Sequence, residues 1–146
     1  MSDFRVLSDS VLASEQLTLA DVAEAKSIGV TLIVNNRPEG EAADQTPGLA
    51  IEAAARAAGM DYLAIPITPG SFDEAQVRAM VAALDRAPGK VLAYCRTGTR
   101  STLLWALAQA ASGQALETIA AAAAAAGYDV SPILPAMAEL AGDAQD

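Results

Sequence analysis

The 146-residue chain predicts a single compact α/β domain, a central and mostly parallel sheet flanked by helices. Three observations predict it. Strand-like and helix-like segments alternate three times, which favours parallel pairing through right-handed crossovers. The clearest strand, Val30–Asn35, is β-branched and apolar throughout, as a sheet covered on both faces requires. A hydrophobic content of 53% in a chain of near-modal domain length is enough for one full core. With no linker and no internal repeat, residues 1–146 form one domain, and 142–146 are expected to fray.

Each element has its own signal. Phe4–Leu7 and Val11–Ala13 read as short edge strands. Thr18 with Asp21 marks a helix start and Gly29 its stop. Val30–Asn35 follows, then a polar loop with Pro38, Gly40 and Pro47. Gly48–Ala58 is helical and ends at Gly59. Asp61–Ile67 is the next strand, and Ser71-Phe72-Asp73-Glu74 reads as a capping box for a helix to about Arg86. Pro88-Gly89 turns the chain into the strand Lys90–Tyr94, and Ser101–Ala111, rich in Leu, Ala and Trp105, is helical. A turn at Ser112-Gly113 precedes an alanine-rich helix that stops at Gly127. Ser131-Pro132 reads as the cap and first turn of a last helix.

Composition excludes several functions. A net charge of −9 opposes binding to nucleic acid or to an anionic membrane. The chain has no histidine and one cysteine, so neither a zinc site nor an internal disulfide is expected, and no cofactor is called for. The first residues carry no signal-peptide core, and the longest apolar run is alanine; the expected compartment is the cytoplasm. Nothing in the pattern sets the oligomeric state.

The lone cysteine, Cys95, opens the run Cys95-Arg96-Thr97-Gly98-Thr99-Arg100-Ser101 between a strand and a helix. Free cysteines are often small buried hydrophobes. A core position, however, does not need a polar, glycine-containing, doubly cationic loop directly after it. If the loop curls over the sulfur, the N–H groups of Arg96, Thr97, Gly98, Thr99 and Arg100 converge on one point and cradle an anion. Cysteines at helix N-termini beside arginine commonly titrate in the ~3.5–7.5 range, which makes them nucleophilic near neutrality. Gly98 permits the tight turn, Arg100 offers a planar fork for two oxygens, and Ser101 is placed to hydrogen-bond the sulfur. Ligands of parallel sheets sit beyond the carboxyl ends of the strands. Those ends carry Asn35-Asn36-Arg37, Thr68-Pro69-Gly70 and Cys95–Arg100, so Asn36 and Arg37 join the predicted anion site. Arg37 and Arg96 read equally well as solvated surface charges.

The loop resembles the Cys, spacer, Arg, Ser/Thr signature of cysteine-dependent phosphatases. The wider chain is similar to the bacterial beta-lactamase-hydrolase-like protein, phosphatase-like domain family. The similarity lies in Leu12–Thr18, Val34–Glu41, Ile65-Pro66-Ile67, Tyr94–Ser101 and Ala126-Gly127-Tyr128-Asp129. It implies a cysteine-phosphatase-like fold with Cys95 as nucleophile and Arg100 as anion binder. Two departures from tyrosine phosphatases stand out: four residues rather than five separate Cys95 from Arg100, a spacing shared with many rhodanese-type sulfurtransferases, and Tyr94 replaces the histidine before the cysteine.

Two chemistries and one non-catalytic role follow. Phosphate monoester hydrolysis runs through a cysteinyl-phosphate and uses a carboxylic acid to protonate the leaving group. Asp73 lies nearest in sequence to the place where phosphatases carry that acid, although helix capping competes for it. Sulfane-sulfur transfer through a Cys95 persulfide needs no such acid. An anion-binding or redox-switch module is the third reading. The ligand is a small anion or a phosphorylated or persulfidated molecule.

Overall fold

A computed structural model describes residues 3–145. Five strands form one sheet in the order β1-β2-β5-β3-β4: β1 Arg5–Val6, β2 Val11–Ser14, β3 Val30–Asn35, β4 Asp61–Ala64 and β5 Lys90–Tyr94. β1 runs antiparallel to β2 and every other pair is parallel, with Val11 opposite Val91, Ile33 opposite Leu92 and Ile33 opposite Tyr62. The helices are α1 Leu19–Ser27, α2 Gly48–Ala57, α3 Glu74–Arg86, α4 Thr99–Ala111, α5 Leu116–Ala125 and α6 Leu134–Gln145.

The sheet separates two cores because successive side chains of a strand point to opposite faces. Val91 and Ala93 face Val77, Met80, Leu104, Ile119 and Met137, while Leu92 and Tyr94 face Val22, Ala25, Ile51 and Ala55. α1 and α2 therefore cover one face, and α3, α4, α5 and α6 the other. α4 is wrapped by its neighbours: Leu104, Trp105, Ala106, Leu107, Ala108 and Ala110 are all buried, as a helix apolar on every side demands.

Several boundaries differ from the sequence reading. β2 is interior, between β1 and β5, so only β1 and β4 are edges. β4 stops at Ala64 because Pro66 has no N–H, yet the chain continues to pair: Ile65 N donates to Asn35 O at 2.9 Å and Ile67 N to Asn36 O at 2.9 Å. The capping box of α3 starts at Asp73 rather than Ser71. Asp73 accepts from Gln76 N, and Gln76 Oε1 accepts from Asp73 N, each at 2.8 Å, while Ser71 N is spent in a turn on Thr68 O. Ser131-Pro132 opens a short 3-10 turn, Ser131–Ile133, and not α6 itself; the Ser131 N–H and hydroxyl both go to Asp129 Oδ1. α6 runs to Gln145, and Asp146, the last residue of the tail expected to fray, lies outside the described residues.

Candidate active site

β5 ends in the middle of the sheet, and the chain must leave the sheet to begin α4 on one face. The connection is Cys95-Arg96-Thr97-Gly98. Gly98 makes it possible: its φ of 91° lies in the left-handed region, and a Cβ there would run into the Tyr128 hydroxyl. The Gly98 N–H donates to Cys95 Sγ at 3.1 Å.

Three of the loop carbonyls turn toward protein partners. Arg96 O accepts from Gln16 N at 3.3 Å, Thr97 O from the Tyr128 hydroxyl at 3.3 Å, and Gly98 O from Thr102 N at 3.0 Å and Thr102 Oγ1 at 2.8 Å. Cys95 N is anchored on Ser14 O at 3.3 Å. The donors are left over. Among the described residues the Arg96 and Thr97 N–H groups have no acceptor, the Gly98 cap has no side chain, and the Thr99 N–H reaches only Thr97 Oγ1, at a long 3.4 Å. Unspent N–H groups around a buried sulfur at a helix N-terminus form an anion-binding concavity.

Behind the loop runs a buried polar chain. Ser101 Oγ donates to Asn36 Oδ1 at 2.7 Å, and Asn36 Nδ2 donates to Ile65 O at 2.9 Å. Both residues are 0% exposed. Asn36 was expected to contact the anion and Ser101 the sulfur. Here the Asn36 amide is used at both ends inside the protein, and the Ser101 hydrogen is committed to Asn36. Together they tie α4 to the ends of β3 and β4.

In front, the β3–α2 loop and the first turn of α4 meet on one carboxylate. Glu41, from the β3–α2 loop, accepts from Arg100 Nη1 at 2.8 Å and Nη2 at 2.9 Å, and from Arg37 Nε at 3.0 Å. Arg100 Nη1 also donates to Ile67 O at 2.6 Å. Arg37 is buried rather than solvated, and its Nη1 donates to Gln16 Oε1 at 3.0 Å. Two of its nitrogens, Nε and Nη1, fasten the loop to Glu41 and Gln16. Glu41 is itself fixed: its N–H donates to Gln45 Oε1 at 2.9 Å, and Gln45 Nε2 donates to Pro38 O at 2.9 Å. The hydrogen bond from Arg100, with a smaller one from Arg37, outweighs burial and holds the Glu41 carboxyl below its ordinary range. Glu41 in turn, ahead of Cys95, raises the Arg100 pKa.

The remaining predicted residues are less involved. Arg96, Thr97 and Thr99 are exposed at the loop surface, where Thr97 Oγ1 donates to Thr99 Oγ1 at 3.0 Å. Asp73 caps α3 and lines a surface hollow with Phe72, Leu107 and Leu140, so its carboxylate is committed to that helix. Sequence reasoning missed Glu41, Gln16 and Tyr128. The signal for Glu41 was its place in the polar loop after Asn35-Asn36-Arg37, a rim segment in which only the amides and the arginine were weighed. Among the described residues no three His, Cys, Asp or Glu side chains cluster as a metal site, and no helix is long and apolar enough to cross a membrane.

This sheet order and strand–loop–helix define a phosphatase-like domain with the dual-specificity and tyrosine phosphatase fold. Residues 3–112 match the family model described as beta-lactamase hydrolase-like protein, phosphatase-like domain, and the chain belongs to that family. A beta-lactamase hydrolase-like protein of Agrobacterium fabrum is 34% identical over 108 residues, 74% of this chain and 25% of that protein. The chain thus spans about a quarter of the length of that relative. The crystal structure of a candidate phosphatase from Neisseria meningitidis Z2491 aligns with a TM-score of 0.84 and 30% identity, covering 96% of this chain and 99% of that one. Human DUSP28, at 18% identity and a TM-score of 0.71 over 97% of each chain, shares the fold.

Proposed function

We propose that the domain hydrolyses phosphate monoesters in two steps through a cysteinyl-phosphate on Cys95. The observation that carries this reading is the Cys95 sulfur lying under the Gly98 N–H at 3.1 Å, inside a loop whose Arg96 and Thr97 N–H groups have no acceptor among the described residues. A phosphoryl group seated there has its oxygens on the Arg96 and Thr97 N–H groups, the first turn of α4 and Arg100. The Cys95 thiolate attacks phosphorus, the S–P bond forms, and the P–O bond to the leaving group breaks. Water then attacks phosphorus, the S–P bond breaks, and inorganic phosphate and the thiolate are released. The loop donors stabilise the charge spread over the transferring oxygens in both steps.

Protonation of the leaving oxygen is the step with least support from side chains. Asp73 is occupied as a cap, and Glu41 is held anionic between two guanidinium groups. Aryl phosphates, whose leaving groups need little protonation, are therefore the better substrates. The four-residue spacing from Cys95 to Arg100 and the lack of a free acid favour, as a second reading, sulfur transfer through a Cys95 persulfide.

The test is turnover of an activated aryl phosphate, and of thiosulfate with a thiol acceptor, by wild type and Cys95→Ser, with mass spectrometry of the quenched enzyme. The phosphatase reading predicts a phosphate adduct on Cys95 and no turnover by the serine variant. A persulfide adduct selects the second reading, and undiminished activity in Cys95→Ser refutes both.

A further inference from the structure

We infer that Glu41 is a positioning residue for the cysteine loop: its carboxylate grips the end of the Arg100 guanidinium so that the opposite edge faces the anion above Cys95. The inference deepens the phosphatase reading and rests on it for the identity of the anion.

The argument is a count of donors. Guanidinium has five N–H groups in one plane. Glu41 takes one from Nη1 and one from Nη2, the pair at the tip, and Ile67 O takes the second from Nη1. No oxygen among the described residues takes the Nε–H or the other Nη2–H, which lie side by side on one edge as a two-pronged fork beside the Cys95 sulfur, itself a hydrogen-bonding neighbour of this guanidinium. Cys95 is close enough to be among the groups that stabilise the Arg100 charge, so this arginine is held beside the sulfur. Two oxygens of a phosphoryl group match such an edge.

Two other roles for Glu41 fit the geometry less well. As a plug that mimics the substrate it would have to occupy the edge a phosphate needs, and it occupies the tip. As a proton donor it would have to be neutral, and it accepts three charge-assisted hydrogen bonds from two arginines. Its own rigidity fits a holder. Gln45 and Pro38 staple the loop that carries it, and Arg37, fastened by Gln16, steadies the carboxylate from the other side.

The experiment reads the Arg100 position through the only cysteine. Alkylation of Cys95 by iodoacetamide near neutral pH, and protection against it by inorganic phosphate, are measured in wild type, Glu41→Ala, Glu41→Gln, Arg100→Ala and the Glu41→Ala/Arg100→Ala double variant. Circular dichroism checks that each is folded. With Arg100 released, Glu41→Ala alkylates more slowly, because the cation beside the sulfur is lost. Its phosphate protection weakens about tenfold, with Glu41→Gln intermediate because one oxygen still accepts. In the Arg100→Ala background the glutamate substitution changes neither quantity.

Faster alkylation in Glu41→Ala overturns the inference, since that is what removing a negative charge does when Arg100 stays in place. Tighter phosphate protection makes Glu41 a plug and also overturns it, as does an equal effect in both backgrounds. If phosphate fails to protect wild type while the alkylation rates behave as described, the phosphatase reading fails and the positioning role stands.

Discussion

Glu41 sits between two guanidinium groups, and its ionisation is written into the stability of the fold. Its folded pKa lies below the ordinary 4.5, so the contribution is complete above that value and is lost as pH falls through the depressed one. We expect denaturant titrations to show wild type more stable than Glu41→Gln at neutral pH, with the gap closing as pH falls below about 4. A gap that stays constant with pH would show that the carboxylate charge is irrelevant. Tyr94 poses the opposite problem. Its hydroxyl is buried without a hydrogen-bond partner among the described residues, and burial raises its pKa, so it remains a neutral phenol. Tyr94→Phe removes an unsatisfied polar group and is expected to be neutral or to stabilise by up to ~1 kcal/mol in the same titrations. Cys95, Gly98 and Arg100 were legible because chemistry, backbone and charge coincide in one short run. Glu41 was not, because one acidic residue among eighteen acquires meaning only when Arg100, far away in the chain, closes on it beside the neighbouring Arg37.

Among the elements, the loop joining β5 to α4 concentrates constraint at Gly98. Gly98→Ala forces a side chain into the left-handed region, at a cost of about 1–2 kcal/mol, and drives its methyl against Tyr128. We expect loss of phosphate protection at Cys95, restored only in part by adding Tyr128→Phe, since the backbone strain remains. The start of α3 answers a different question. Asp73→Ala removes a reciprocal cap and should cost about 1 kcal/mol of stability while leaving aryl phosphate turnover unchanged. A collapse of turnover in a folded Asp73→Ala protein would return that residue to the reaction. Strands and helices were readable from local pattern, because β-branched runs and glycine stops act within a few residues. The shift of the α3 cap by two positions was not, because Ser71 and Asp73 are both good cap residues and only the Thr68 turn decides between them. The position of β2 inside the sheet was equally hidden, since an edge strand and a four-residue interior strand differ in their neighbours, not in their composition.

For the whole molecule, the sheet is a partition between two cores that do not share side chains. Ile51, on α2, and Ile119, on α5, are both buried, one on each side. Ile51→Val and Ile119→Val should each cost ~0.5–1.5 kcal/mol. Their sum should match the double variant to within about 0.5 kcal/mol, as independent sites do, and a larger deviation would mean the sheet transmits strain between its faces. The parallel α/β architecture was legible from the alternation of elements and the continuous apolar run of Val30–Asn35; the strand order was not, because it is set by contacts between residues far apart in the chain. That separation has a consequence for the order of folding events. β5, which ends at the cysteine, pairs on one side with β2, where Val11 meets Val91, and on the other with β3, where Ile33 meets Leu92. Neither pairing can form by a local zip, and long-range pairings are late and slow. The surroundings of Cys95 are therefore among the last things the chain assembles, and in a refolding time course the phosphate-protected state expected of Cys95 should emerge only with the final, slowest phase.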